Sequence, residues 1–189
     1  MRVFVTGATG YIGWGVARAL RRAGHEVHGL CRSDGRANAV ARGELLPVVG
    51  DVTQPQDWIR AAESCSVLVH AAADSQNGAA ADRAAIAALL DAAEHGPGPK
   101  TLVYTSGVWV YGSTGPRAAE ETDALSPLPL VAWRPAHERM VLEASHVKGL
   151  VLRPGCVYGG RGGMTGMWFA GAVREEMVQV VGDGTNRWA

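Results

Sequence analysis

The sequence predicts an α/β fold, a doubly wound parallel sheet, and two observations predict it. Strand-like apolar runs at about 2–6, 26–31, 46–50, 66–71, 100–105 and 148–152 alternate with helical patterns at about 11–23, 55–63, 80–94 and 131–145. Such alternation builds parallel strands joined by helical crossovers. The first strand also runs directly into Thr6-Gly7-Ala8-Thr9-Gly10-Tyr11-Ile12-Gly13. A three-glycine turn between a β-branched strand and an amphipathic helix stands where a phosphate-binding turn must lie. Right-handed crossovers then give the strand order 3-2-1-4-5-6, with a ligand across the carboxyl ends of the strands.

Each element follows from its residues. In the first turn Gly7 permits the tight exit from the strand, Gly10 lets the backbone approach a pyrophosphate, and Gly13 lets the helix pack on the sheet. Thr9, Tyr11 and Ile12 complete the turn, and the helix start offers free N–H groups and a positive dipole end to phosphates. A glycine-rich turn without a ligand is the plainer alternative. Along the first helix Ile12, Val16, Ala17 and Leu20 form the apolar stripe, Arg18, Arg21 and Arg22 lie outward, and Gly24 caps the end. The second strand ends in Gly29-Leu30-Cys31-Arg32-Ser33. Cys31 stands 18 residues after Gly13, where an acid that holds an adenosine ribose is expected. A guanidinium beside a hydroxyl suits a 2′-phosphate, so Arg32 and Ser33 favour NADP over NAD. Asp34 keeps NAD open, and Arg32 also reads as a solvated charge at a strand end. Gly96-Pro97-Gly98-Pro99 is a helix stop and turn.

Composition limits the partners. The chain has 189 residues, 47% of them hydrophobic and 19% charged, enough for one α/β core. A formal net charge of zero points to no polyanion, hence no nucleic acid. Cys31, Cys65 and Cys156 are too few and too scattered for a disulfide framework or a zinc site, so no metal is expected and a reducing cytoplasm fits best. The N-terminus enters a strand at Arg2, leaving no room for a signal peptide, and no apolar run approaches the roughly 20 residues that cross a bilayer.

The glycine turn is joined by Gly50-Asp51-Val52 after the third strand and Val69-His70-Ala71-Ala72 at the end of the fourth. Thr105-Ser106-Gly107-Val108-Trp109-Val110-Tyr111-Gly112 ends the fifth, and Leu152-Arg153-Pro154-Gly155-Cys156-Val157-Tyr158-Gly159 follows the sixth. In order and spacing these resemble the short-chain dehydrogenase/reductase superfamily in its extended or atypical branch, the NAD-dependent epimerase/dehydratase type. The resemblance implies that Asp51 and Val52 contact the adenine, although Asp51 also reads as a turn residue. It implies too that Ala71, Ala72 and Thr105 line the cofactor groove. His70 reads as a hydrogen-bonded structural histidine. A small molecule, a carbonyl compound or a sugar derivative, is the implied substrate, and a homodimer is possible.

The same resemblance implies a catalytic tyrosine, a lysine four residues later and a serine or threonine, and all three are replaced. The hydroxyl position falls on Gly107. Ala132-Trp133-Arg134-Pro135-Ala136-His137-Glu138 puts Trp133 in place of tyrosine and His137 in place of lysine. Indole only donates and has no proton to exchange near neutrality. An imidazole can exchange one, which makes His137 the candidate for ribose contact or catalysis, with a plain helix-surface histidine as the alternative. Two functions therefore stand: an oxidoreductase or epimerase with replaced catalytic residues, or a non-catalytic NADP-binding sensor or scaffold. Residues 1–160 form the dinucleotide-binding domain and 161–189 the beginning of a substrate lobe. The turn at Gly182–Gly184 reads as the approach to another strand, so the chain looks cut short.

Overall fold

The computed structural model describes residues 1–74, 76–160, 162–178, 180 and 183–185. Six strands, β1 (Arg2–Thr6), β2 (Glu26–Cys31), β3 (Leu46–Val49), β4 (Val67–His70), β5 (Thr101–Thr105) and β6 (Lys148–Leu152), form one parallel sheet. Its order is β3-β2-β1-β4-β5-β6, as the right-handed crossover rule predicts. The helices are α1 (Tyr11–Arg22), α2 (Asp34–Arg42), α3 (Ile59–Glu63), α4 (Gly78–His95), α5 (Arg134–Leu142) and α6 (Gly163–Glu175).

Central strands covered on both faces need no polar alternation, and β1 carries Val3, Phe4 and Val5 in succession, all fully buried. Their side chains divide by parity. Val3 and Val5 join Ala8, Ala17, Val27, Val40 and Val69 in one core cluster, whereas Phe4 joins Leu68, Ile86, Leu89, Leu102 and Tyr104 in the other. The second cluster backs the site described below.

Four helices differ from the sequence reading: the one expected over 55–63 is a 3-10 turn at Pro55–Asp57 followed by α3, α6 has no counterpart in that reading, and α2 and α5 depart from it as follows. Asp34–Arg42 lacks an apolar stripe and buries only Val40, so it carries no periodic signal; the Ser33 hydroxyl caps it by accepting from the Arg36 N–H at 3.4 Å. The expected helix over 131–145 is shorter, because Pro129 opens a separate 3-10 turn at Pro129–Val131 and Pro135 stands at the start of α5, where its missing N–H costs nothing. The turn expected at Gly182–Gly184, and whatever follows it, falls mostly outside the described residues.

At the β6 edge Leu150 and Leu152 are exposed, and on α6 so are Met167, Trp168, Phe169 and Val173. No helix among the described residues is long and apolar enough to cross a membrane. Cys31 and Cys65 are buried free thiols and Cys156 is partly so. Among the described residues no group of His, Cys, Asp or Glu could hold a metal ion.

Candidate functional site

The turn after β1 is built as its glycines require. Gly7 has φ +70°, and a Cβ there would lie 2.5 Å from the Ala71 carbonyl oxygen at the end of β4. A Cβ on Gly13 would come within 2.1 Å of the Gly7 carbonyl oxygen, so α1 packs on its own turn through a bare Cα. The Gly10 N–H donates to the Gly7 carbonyl at 2.8 Å and the Trp14 N–H to the Gly10 carbonyl at 2.9 Å. Gly10 provides no capping side chain and the first turn holds no acid. The N–H groups of Tyr11, Ile12 and Gly13 thus open α1 as a cradle that suits a pyrophosphate. Above this turn the Tyr11 hydroxyl donates to the Gly159 carbonyl at 2.7 Å, tying it to the loop after β6.

Asp51, Asp74 and Arg32, in the loops after β3, β4 and β2, influence one another electrostatically. Asp51 Oδ1 accepts from the Thr53 N–H at 2.9 Å and from the Thr53 hydroxyl at 2.7 Å. Asp51 thus acts as a turn residue through Oδ1. Those Thr53 bonds and, more weakly, the Arg32 charge hold its carboxyl below the usual range. Asp74 at the end of β4 is held down by the N–H groups of Asn77 and Gln76, and Arg32 adds to this as well. Arg32 thus lies near two carboxylates, and Ser33 is engaged as the cap of α2. Val52 packs partly against the core.

The reaction centre differs most from the sequence reading. His137 is no helix-surface residue: it is 4% exposed, and its Nδ1 lies 2.7 Å from Asp82 Oδ2. Trp133 lies one turn back on the same face, with the two rings 4.9 Å apart. Among the described residues no hydrogen bond is seen at His137 Nε2. Asp82 in turn meets His70 Nε2 at 3.2 Å and accepts the Tyr104 phenol at 2.9 Å. His70 Nδ1 lies 2.6 Å from the Thr6 hydroxyl, so this histidine is the hydrogen-bonded structural residue expected. Burial works to raise the Asp82 carboxyl, but the bonds from His70, His137 and Tyr104 outweigh it and keep the group below its ordinary value. Burial first, then the Asp82 charge, pushes the Tyr104 phenol far above its own.

The cation that reaches the carboxyl end of β5 is Arg134, which the sequence reading passed over. Its Nη1 donates to the Thr105 carbonyl at 3.0 Å and to the Tyr104 oxygen at 3.2 Å, and its guanidinium lies 4.7 Å from the Trp133 ring centre. The available signal was its position: an arginine at the first turn of a helix opposes the dipole and calls for a tertiary partner. Gly107 is extended, with φ 179°, and a Cβ there would meet only the Pro154 carbonyl at 3.9 Å. The backbone at Gly107 thus has space for a Cβ.

The chain belongs to the NAD dependent epimerase/dehydratase family, whose profile matches residues 3–189. Among individual proteins it is similar to a 4-hydroxy-2-methyl-3-oxo-4-farnesyl-3,4-dihydroquinoline-1-oxide ketoreductase of Stigmatella aurantiaca. The two are 37% identical over 73 residues, 39% of this chain and 22% of that protein. The fold is that of UDP-glucuronic acid 4-epimerase from Bacillus cereus, solved with UDP-glucuronic acid and NAD, at TM-score 0.84 and 22% identity; the match covers 98% of this chain and 67% of that one. dTDP-glucose 4,6-dehydratase from Bacillus anthracis, solved in complex with NAD, gives TM-score 0.82 at 19% identity and coverages of 98% and 66%. The chain thus spans about two thirds of the length of these enzymes.

Proposed function

We propose that this chain binds a nicotinamide dinucleotide and belongs to an oxidoreductase or epimerase that acts on a small carbonyl or sugar-type substrate, with His137, which stands where the lysine is expected, as its proton carrier. The observation that carries the reading is the uncapped start of α1 behind Gly7 and Gly13, together with the NAD-bound enzymes that share its fold. A bound nicotinamide supplies the hydride chemistry. Tyr11, Ile12 and Gly13 hold phosphate through backbone N–H groups, Thr9, Ala71, Ala72 and Thr105 line the groove, and Asp51 with Val52 faces the adenine. His137 holds or releases a proton at Nε2.

The second reading, a cofactor-occupied sensor or scaffold, is favoured by one observation: the His137 side chain is only 5% exposed beside Trp133. Turnover separates the two. Because general acid–base assistance contributes about 10²–10⁴-fold, a chain lacking phenol, ammonium and hydroxyl should turn over generic sugar nucleotides or ketones very slowly. If it works at ordinary enzymatic rates and His137→Ala removes that rate while cofactor stays bound, His137 is the proton carrier. No turnover with bound cofactor favours the sensor.

NADP is the proposed preference, through Arg32. Arg32→Ala should weaken NADPH by about 1–3 kcal/mol and leave NADH nearly unchanged. The lower end is expected, because Asp51 and Asp74 share that guanidinium. Calorimetric titration with both cofactors checks this, and equal losses for both would assign Arg32 to neither.

We also place residues 1–160 as the dinucleotide domain and 161–189 as the start of a substrate lobe, in a cytoplasm that keeps the three thiols reduced. Leu150 and Leu152 with Met167, Trp168, Phe169 and Val173 present apolar surface that a second copy would cover. Sedimentation of the 189-residue chain should therefore show dimers or larger species at micromolar concentration, and a monodisperse monomer would remove this assignment.

A further inference from the structure

The buried polar atoms around Asp82 restrict where the hydrogens lie. The Ala71 N–H is shared between the Thr6 carbonyl and the Thr6 hydroxyl oxygen, at 3.3 Å each, the Ala72 N–H points at the same hydroxyl at 3.4 Å, and amides can only donate. That oxygen is the acceptor for both, so its own hydrogen goes to His70 Nδ1, 2.6 Å away. A histidine that accepts at Nδ1 carries its hydrogen on Nε2, which donates to Asp82 Oδ1 at 3.2 Å. The Tyr104 phenol, kept protonated, donates to Asp82 Oδ2 at 2.9 Å and accepts from Arg134 Nη1 at 3.2 Å. His137 Nδ1 stands 2.7 Å from the same Oδ2, and an ionised carboxylate only accepts. The hydrogen between them therefore sits on Nδ1.

We propose that Asp82 is the positioning residue of this centre: it fixes His137 with its hydrogen on Nδ1 and leaves Nε2 as the atom that takes or gives a proton. This rests on the reading of His137 as proton carrier. Two of Asp82's neighbours reinforce the arrangement from other elements, His70 on β4 and Tyr104 on β5, and Arg134 on α5 fixes the phenol. The one further charge on this face of α5, Glu138, is taken up by Arg153, whose Nη2 lies 2.6 Å from it. The chain of bonds also joins the two halves of the groove, since Thr6 immediately precedes the glycine turn.

The tautomer can be read directly. An imidazole free in water favours its hydrogen on Nε2, so a neutral Nδ1–H form reports an imposed partner. Long-range 1H–15N correlation spectra of the full 15N-labelled chain, with His137 assigned by loss of its peaks in His137→Gln, should show Nδ1–H at pH 8. Asp82→Asn keeps the shape but offers one carbonyl oxygen to three donors, and at least half of His137 should move to Nε2–H. Tyr104→Phe removes a competing donor and leaves the carboxylate, so Nδ1–H should persist. Nε2–H in the unmodified chain, or an unchanged tautomer in a natively folded Asp82→Asn, overturns the proposal. If Asp82→Asn does not fold, the unmodified chain and Tyr104→Phe decide: Nδ1–H in both upholds it and Nε2–H in either overturns it. Titration of the same sample with NADH and NADPH, followed by tryptophan fluorescence, tests the dinucleotide reading separately. Failure to bind leaves the tautomer result standing, and the reverse holds too.

Discussion

Gly13→Val should abolish dinucleotide binding and lower the melting temperature by about 6–12 °C. The first γ-carbon would follow a Cβ already 2.1 Å from the Gly7 carbonyl oxygen, and the obstruction is backbone that cannot swing aside. Either α1 moves off the turn or the turn opens, and both destroy the close approach of three N–H groups to one pyrophosphate. Overpacking of this kind costs about 3 kcal/mol, and each kcal/mol is worth roughly 2–4 °C in a chain of this size. Gly15→Ala is the matched control on the same helix. Nothing lies within 4 Å of its Cβ, so it should raise stability by about 0.5–1 kcal/mol through helix propensity alone and leave binding intact. Thermal melts with and without NADH or NADPH test both. A Gly13→Val chain that still binds would mean that the cofactor does not sit on this turn.

What the sequence made legible follows the physical range of each signal. Gly7, Gly10 and Gly13 act within a single turn, so their spacing alone located the cradle, and the alternation of apolar runs was enough to order the strands. α2 was missed because it buries only Val40 and therefore has no periodic face to read. The reaction centre was legible only in part. That Trp133 and His137 share a helix face follows from their spacing of four, but nothing local shows that His137 turns inward to Asp82, 55 residues away in sequence. The same holds for Arg134, whose partners at Tyr104 and Thr105 lie on a strand about 30 residues earlier. Gly107 is where the resemblance places the hydroxyl; that a Cβ there would meet only Pro154 is a property of the β5 and β6 ends, which meet only in the folded chain.

Glu138→Ala should be the most destabilising single change near the site, by about 3–5 kcal/mol. Glu138 is 2% exposed, and its two oxygens accept Arg153 Nε at 3.1 and 3.2 Å and Nη2 at 2.6 Å. Those bonds first, and the Tyr111 hydroxyl after them, raise the guanidinium above its already high value; an arginine stays charged even without a partner, so Arg153 keeps its charge when Glu138 is removed. Truncation therefore leaves a cation, 16% exposed at the side chain, facing an apolar gap. The guanidinium also lies 4.9 Å from the Tyr111 ring centre and donates to the Tyr111 hydroxyl. It thereby ties α5 and β6 to the segment after β5 that carries Gly107. The loss should consequently appear twice: as a lower urea midpoint and as faster proteolysis between residues 112 and 126. Glu138→Met with Arg153→Met removes both charges and keeps most of the volume. This pair should recover much of the stability while leaving the 112–126 segment as cleavable as in Glu138→Ala, because burying two paired ions costs nearly what their attraction returns. A double variant as unstable as Glu138→Ala would show that the site depends on hydrogen-bond geometry at Tyr111 more than on neutralising the buried charge.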